Sequence, residues 1–162
     1  MKKIKKRCLI CPVLIFVLFF SSLALCPAQE KNMKGWGIND PYNRLYDVQE
    51  IDTIKAVVRE IKEITPLPGM APGLGMEIED KGGERYLVHI CPLAYKDTAS
   101  IGLKKGDKIN LRGCPVEIDG KEVIMAAKIK KDEKVIKVRL TSDGKPFWTM
   151  SPEELKKESA EN

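Results

Sequence analysis

His89 and Cys91 stand two residues apart in Tyr86-Leu-Val-His-Ile-Cys-Pro-Leu-Ala-Tyr95, the stretch with the most chemically capable side chains in the chain. His89 is the only histidine. Residues i and i+2 of a strand share a face, so the pair can ligate one soft metal such as copper, with Cys114, Met70 or Met76 completing the set. One imidazole and two separated thiols make a poor ligand set. A strand histidine with its ring hydrogen-bonded accounts for His89 more simply, and neither a metal nor another cofactor is expected. Hydrolysis needs a nucleophile, a base and an orienting acid. Cys91 beside His89 is the only visible pairing. No Gly-x-Ser-x-Gly occurs, and the carboxylates lie scattered among lysines. The expectation is a protein that is not an enzyme.

The leader sets the compartment. Lys2, Lys3, Lys5, Lys6 and Arg7 precede an uncharged run from Cys8 to Ala28, and small residues at Cys26 and Ala28 suit cleavage after Ala28. This predicts a signal peptide over 1–28 and an exported, periplasmic chain. The alternative is an uncleaved anchor, with membrane contact through residues 8–28 alone. A lipoprotein cut before Cys26 fits less well, because bulky Leu25 precedes it. The chain has 28 basic and 23 acidic residues. All five leader charges are basic, so residues 29–162 carry 23 of each sign and no net charge. Nucleic acid is therefore not an expected partner. Cys91 and Cys114 are the two cysteines beyond the leader, and an oxidising compartment would permit a disulfide between them.

These residues must be held by short strands. Residues 29–47 read as an arm rich in turns and aromatics. Trp36, Tyr42 and Tyr46 supply too much aromatic surface for a free tail, so the arm is expected to pack on the domain. The apolar period of Ile51 to Ile64 suits a helix. The same segment can be a long strand that uses Ile54, Ala56 and Val58 and changes face near Glu60 through a bulge. Leu74, Met76 and Ile78 alternate, as do Tyr86, Val88 and Ile90 across the Asp80-Lys-Gly-Gly83 turn, which makes a hairpin. A connector at 95–103 has room for one helical turn. Ile109 and Leu111 mark another strand. Asp119-Gly120 joins Val116–Ile118 to Val123–Ile129, and Ile136, Val138 and Leu140 form the last strand. Asp143-Gly-Lys-Pro146 turns Phe147 and Trp148 back over a barrel end. Ser151 and Glu154 cap a short charged helix in the tail, residues 151–162.

The result is an all-β domain over 48–150, a small antiparallel barrel of five to six strands, with a leader helix and a short C-terminal helix. A long first strand, a hairpin, an irregular connector and further strands match the oligonucleotide/oligosaccharide-binding (OB) barrel. That topology requires 51–64 to be the curled first strand and overrides its helical period.

Gly35-Trp-Gly37, Tyr42-Asn-Arg-Leu-Tyr46, Pro68-Gly-Met-Ala-Pro-Gly73, Val88-His-Ile-Cys-Pro-Leu-Ala-Tyr95, Gly106-Asp107, Gly113, Gly120, Ala126-Ala127 and Gly144-Lys-Pro-Phe-Trp148, in this order, resemble a family of exported bacterial OB-like domains. They are similar to the C-terminal domain of magnetosome MamS/MamX-type proteins. The resemblance implies a periplasmic or membrane-anchored OB-like barrel and no known activity. Cys91 stands where that pattern suggests glycine, and Cys114 where it suggests a small polar residue. Two departures to cysteine point towards a bond, whereas strand ends held apart in an OB barrel point away from one.

OB barrels bind polymers on the face of strands two and three. Here that face would include Arg85, Leu87 and His89, flanked by Tyr95 and Trp36. The expected function is a non-enzymatic module binding a protein, peptide or glycan partner at the cell envelope. The alternative is a small periplasmic metal- or redox-handling protein using His89, Cys91 and Cys114.

Overall fold

In the computed structural model, which describes residues 32–160, six strands form one sheet that closes on itself. The leader and its proposed cleavage site lie outside the described residues. The strands are β1 (Asp52–Ile64), β2 (Gly73–Asp80), β3 (Arg85–Pro92), β4 (Lys108–Ile118), β5 (Lys121–Lys131) and β6 (Lys134–Lys137). Their order is β3-β2-β1-β4-β5-β6, and β3 also pairs with β5. The closed ring is thus β1-β2-β3-β5-β4, the OB arrangement, with β6 added beside β5. All pairings are antiparallel except β3–β5, which closes the ring in parallel.

The first segment is a strand, as the topology requires. Its register shifts between Val58 and Glu60, so β1 bends there and joins β4 with its first half and β2 with its second. One long strand can serve two neighbours because the bulge raises its local twist. The β4–β5 turn is Asp119-Gly120, with φ of 51° and 71°, the left-handed pair a two-residue hairpin demands. Between β3 and β4 lies α1 (Thr98–Ile101), capped reciprocally by Asp97 and Ser100 and stopped by left-handed Gly102.

Two expectations are corrected. β4 is one continuous strand through Gly113, Cys114 and Pro115, with a bulge after Arg112. Proline is tolerated there because the pairing with β1 ends at Gly113, leaving that side of β4 without a ladder. β6 stops at Lys137 and does not reach Leu140. The N–H groups of Val138 and Arg139 both donate to the Ala127 carbonyl, which breaks the ladder, and Arg139 then bridges to Pro146.

Inside the ring, Val58, Met76, Ile78, Val88, Leu111 and Ile129 are fully buried. Phe147–Thr149 makes a 3-10 turn that brings Trp148 back against the arm. α2 (Pro152–Ala160) begins with a capping box: Ser151 N–H donates to the Glu154 carboxylate at 2.9 Å, and Glu154 N–H donates to Ser151 Oγ at 3.3 Å. Arm, barrel and tail belong to one compact unit. Among the described residues no helix is long and apolar enough to cross a membrane.

Candidate functional site

The arm decides the fate of the predicted face. Trp36 is fully buried, and its indole N–H donates to the Ala71 carbonyl at 2.8 Å. It lies so close over β2 that a Cβ on Gly73 would come within 2.3 Å of the ring. Tyr42 and Trp148 meet Trp36 edge-on, at 5.0 and 5.6 Å between ring centres. Trp148 N–H donates to the Trp36 carbonyl at 2.8 Å. Aromatic edges and faces carry opposite partial charge, which favours these T-shaped contacts.

His89 is beneath this lid, 4 % exposed. Its Nδ1 shares a hydrogen bond of 3.2 Å with the Tyr42 hydroxyl. Burial lowers its pKa to about 4, so the ring is neutral near pH 7. Trp36 and His89 are therefore withdrawn from the surface on which the sequence placed them, because the arm packs over that part of β2 and β3. Arg85 remains exposed and pairs with Glu79 at 3.2 Å. Leu87 is half-buried, as is Tyr95, whose ring lies 6.2 Å from Trp148. The five residues do not form one open site.

Cys91 and Cys114 are free, buried thiols, and the disulfide is not formed. β5 runs between β3 and β4, and Met125 pairs with both His89 and Cys114. Two strand spacings are about 9.5 Å, beyond the reach of a disulfide. Cys114 also sits within β4 rather than at its end. Each sulfur has its own partners. Cys91 donates weakly to the Lys96 carbonyl at 3.8 Å, and Cys114 donates to the Pro115 carbonyl while accepting from Asp47 N–H. Burial pushes the Cys91 thiol up to about 12 and raises that of Cys114, which disfavours the thiolates that metal binding and thiol exchange require. Among the described residues no group of three or more His, Cys, Asp or Glu side chains is placed to hold a metal.

A different surface emerges from the register. On the outer faces of β1, β4, β5 and β6, Thr53, Arg112, Lys128 and Lys137 stand in one cross-strand row. Lys55, Asn110, Lys130 and Val135 form the next, and Lys108 opposite Val57 begins a third. These rows hold six cations and no carboxylate. Lys137 is tied to the Glu158 carbonyl of α2 at 2.9 Å. Lys55, Lys108, Arg112, Lys128 and Lys130 take part in none of the ion pairs among the described residues. Over Lys55, Lys108, Asn110 and Lys130 lies a hollow of about 620 Å³, with Glu79, Asp80 and Asp132 also on its border. The Asn110 amide oxygen is buried there without a partner.

Residues 50–136, which hold β1 to β5 and all but the last residue of β6, match the model of the MamS/MamX magnetosome protein family. The chain belongs to that family. No curated protein and no solved structure gives a significant match. The match with the MamS/MamX family runs from the start of β1 into β6, so the aromatic arm and the Phe147-Trp148 turn lie outside it. Sequence reading missed the basic surface because its rows form only when the register sets β1, far back in the chain, beside β4, β5 and β6. The signal was local: Lys108-x-Asn-x-Arg112 and Lys128-x-Lys130 put polar groups at every second position with no acid between them on that face.

Proposed function

We propose that this chain is a non-enzymatic binding module of the cell envelope, and that its partner is an acidic protein segment held on the outer face of β1, β4 and β5. The observation that carries the reading is the set of five cations without carboxylate partners on adjoining strands. Like charges placed opposite one another across a sheet destabilise it, so such rows fit a surface neutralised by something else. An acidic polypeptide supplies carboxylates for the lysines and backbone N–H groups for the orphaned Asn110 oxygen. Phosphate-rich partners can supply anions for the same lysines, and direct comparison with duplex DNA and anionic vesicles separates the two. An uncharged glycan would call for exposed aromatic platforms, and Trp36 and Trp148 are buried. The inert state of Cys91 and the lone hydrogen-bonded His89 support a role without catalysis. An exported location rests on the basic, then apolar, leader.

Titration with a hexaglutamate peptide, followed by amide NMR, tests the reading. The expected shifts cluster on Lys55, Lys108, Arg112, Lys128 and Lys130, weaken steeply with salt, and vanish in the triple variant Lys55→Glu/Lys128→Glu/Lys130→Glu. Shifts centred on Arg85 and Tyr95 would move the site to the β2–β3 face. Tighter binding of duplex DNA or anionic vesicles than of the peptide would replace the acidic segment as partner.

A further inference from the structure

Arg139 is 3 % exposed, and no carboxylate among the described residues forms an ion pair with it. Its guanidinium lies between two aromatic faces, 5.0 Å from the Tyr46 ring centre and 4.9 Å from that of Trp148. One terminal nitrogen donates to Asn43 Oδ1 at 2.7 Å, and the Tyr42 hydroxyl is a further polar neighbour. The Nε–H of Arg139 and the hydroxyl of Tyr46 are buried without partners. A desolvated cation with a spare donor, stacked on the ring of a tyrosine whose hydroxyl is also unpaired, is a costly arrangement unless an acceptor arrives. Beside these groups is a cleft of about 100 Å³ bordered by Asn43, Tyr46, Arg139, Asp143 and Lys145. Water occupies about 30 Å³ per molecule in the liquid, so the cleft has room for a group of two or three heavy atoms.

We infer that this cleft is a binding site for a single carboxylate group, held by Arg139 with the Tyr46 hydroxyl as second donor. The charges at its edge set the affinity. Lys145 borders it, although its ammonium group bonds Glu154 at 2.5 Å. Asp143 also borders it, accepts from Lys145 N–H at 2.9 Å, and opposes an entering anion. The carboxylate comes either from a small free anion or from a side chain of a bound partner. The site uses none of the lysines of the basic sheet face, so the two can fail separately.

The test is a titration of the whole chain with sodium acetate at constant ionic strength, reading the Arg139 Nε–H signal by NMR. A saturable shift is expected. Asp143→Asn should tighten acetate by about two- to fivefold and Lys145→Gln should loosen it by a similar factor, both through charges near the surface. Asp143 is exposed and Lys145 half-buried, so the readout does not depend on replacing the buried arginine. In a parallel titration with hexaglutamate, a shift at lower concentration than with acetate identifies a partner side chain as the source. A shift with acetate alone identifies a free anion. The triple lysine variant should leave the acetate response intact. An Nε–H signal that does not move, that drifts without saturating, or that ignores both edge variants would overturn the site.

Discussion

The two flanks of this barrel treat their charges in opposite ways. On the β2–β3 flank the carboxylates of Glu77 and Glu79 are paired with cations, although Arg59 Nε is buried without a partner. Glu79 takes Arg59 at 2.5 Å and Arg85 at 3.2 Å, Glu77 takes Lys62, and the arm covers His89 with Tyr42. On the β4–β5 flank five cations have no ion pair, and an amide oxygen is buried unpaired. Both flanks are built on the same sheet and share β1, so the difference is not one of fold. The first is finished by the chain itself. The second is left for another molecule to finish, which is why the proposed function rests on it.

The sharpest way to break the comparison is to remove what closes the first flank. Truncation after Leu140 deletes Phe147 and Trp148, both buried, and with them the hydrogen bond to the Trp36 carbonyl. The shortened chain should aggregate or fail to give a cooperative melt. Truncation after Met150 removes only α2, whose residues are mostly exposed, and should leave the melting temperature nearly unchanged. Next in size is Trp36→Ala, which should cost about 3–5 kcal/mol in denaturant titrations, since the indole is fully enclosed and leaves a cavity. A loss below about 1 kcal/mol would mean that the arm covers the flank without stabilising it.

His89 gives a smaller effect with a definite sign. Its pKa falls from 6.5 unfolded to about 4 folded. Between those values the unfolded chain binds more protons, so stability is intact above pH 6.5 and declines as the pH drops towards 4. From pH 6.5 to 5 the loss should be about 1.5 kcal/mol, in a range where the carboxylates remain largely ionised. His89→Gln, which keeps a hydrogen-bonding group near Tyr42, should remove most of that slope. An identical slope in both proteins would show that His89 reaches solvent and that the flank is open.

How much of this was legible in the sequence depended on the range of the interaction involved. Alternation in Leu74-Gly-Met-Glu-Ile78 and in Tyr86 to Ile90, the Asp119-Gly120 turn and the Ser151/Glu154 cap are local, and each lies where the sequence places it. The bend near Glu60 was readable because the apolar set changes parity there. Pro115 hid the continuity of β4, since tolerance of a proline depends on which neighbour is absent. His89 looked like a surface residue because its cover comes from Tyr42, 47 positions away. Arg139 stands between Val138 and Leu140 of the expected last strand, and its partner Asn43 is 96 positions away. The basic rows were visible only as lysines at alternate positions until the register placed them side by side.

The smallest expected effect separates the two flanks most cleanly. Lys128 lies between Arg112 on β4 and Lys137 on β6 in one cross-strand row, so its charge faces two like charges. Directly opposed like charges destabilise a sheet, and opposite charges favour it by about 0.2–1 kcal/mol per pair. Lys128→Glu should therefore raise folding stability by up to about 1 kcal/mol and lower affinity for hexaglutamate by at least about fivefold, because a carboxylate now occupies the middle of the contact surface. The mirror change on the other flank, Glu77→Lys, removes the partner of Lys62 and should lower stability while leaving peptide affinity nearly unchanged. Stability and binding thus move in opposite directions on the open flank, whereas on the closed flank only stability moves. Denaturant titration and peptide titration of the same two variants decide the matter. If Lys128→Glu loses stability, the row already has a balancing partner within the chain, and the reason for assigning that face to a partner protein disappears.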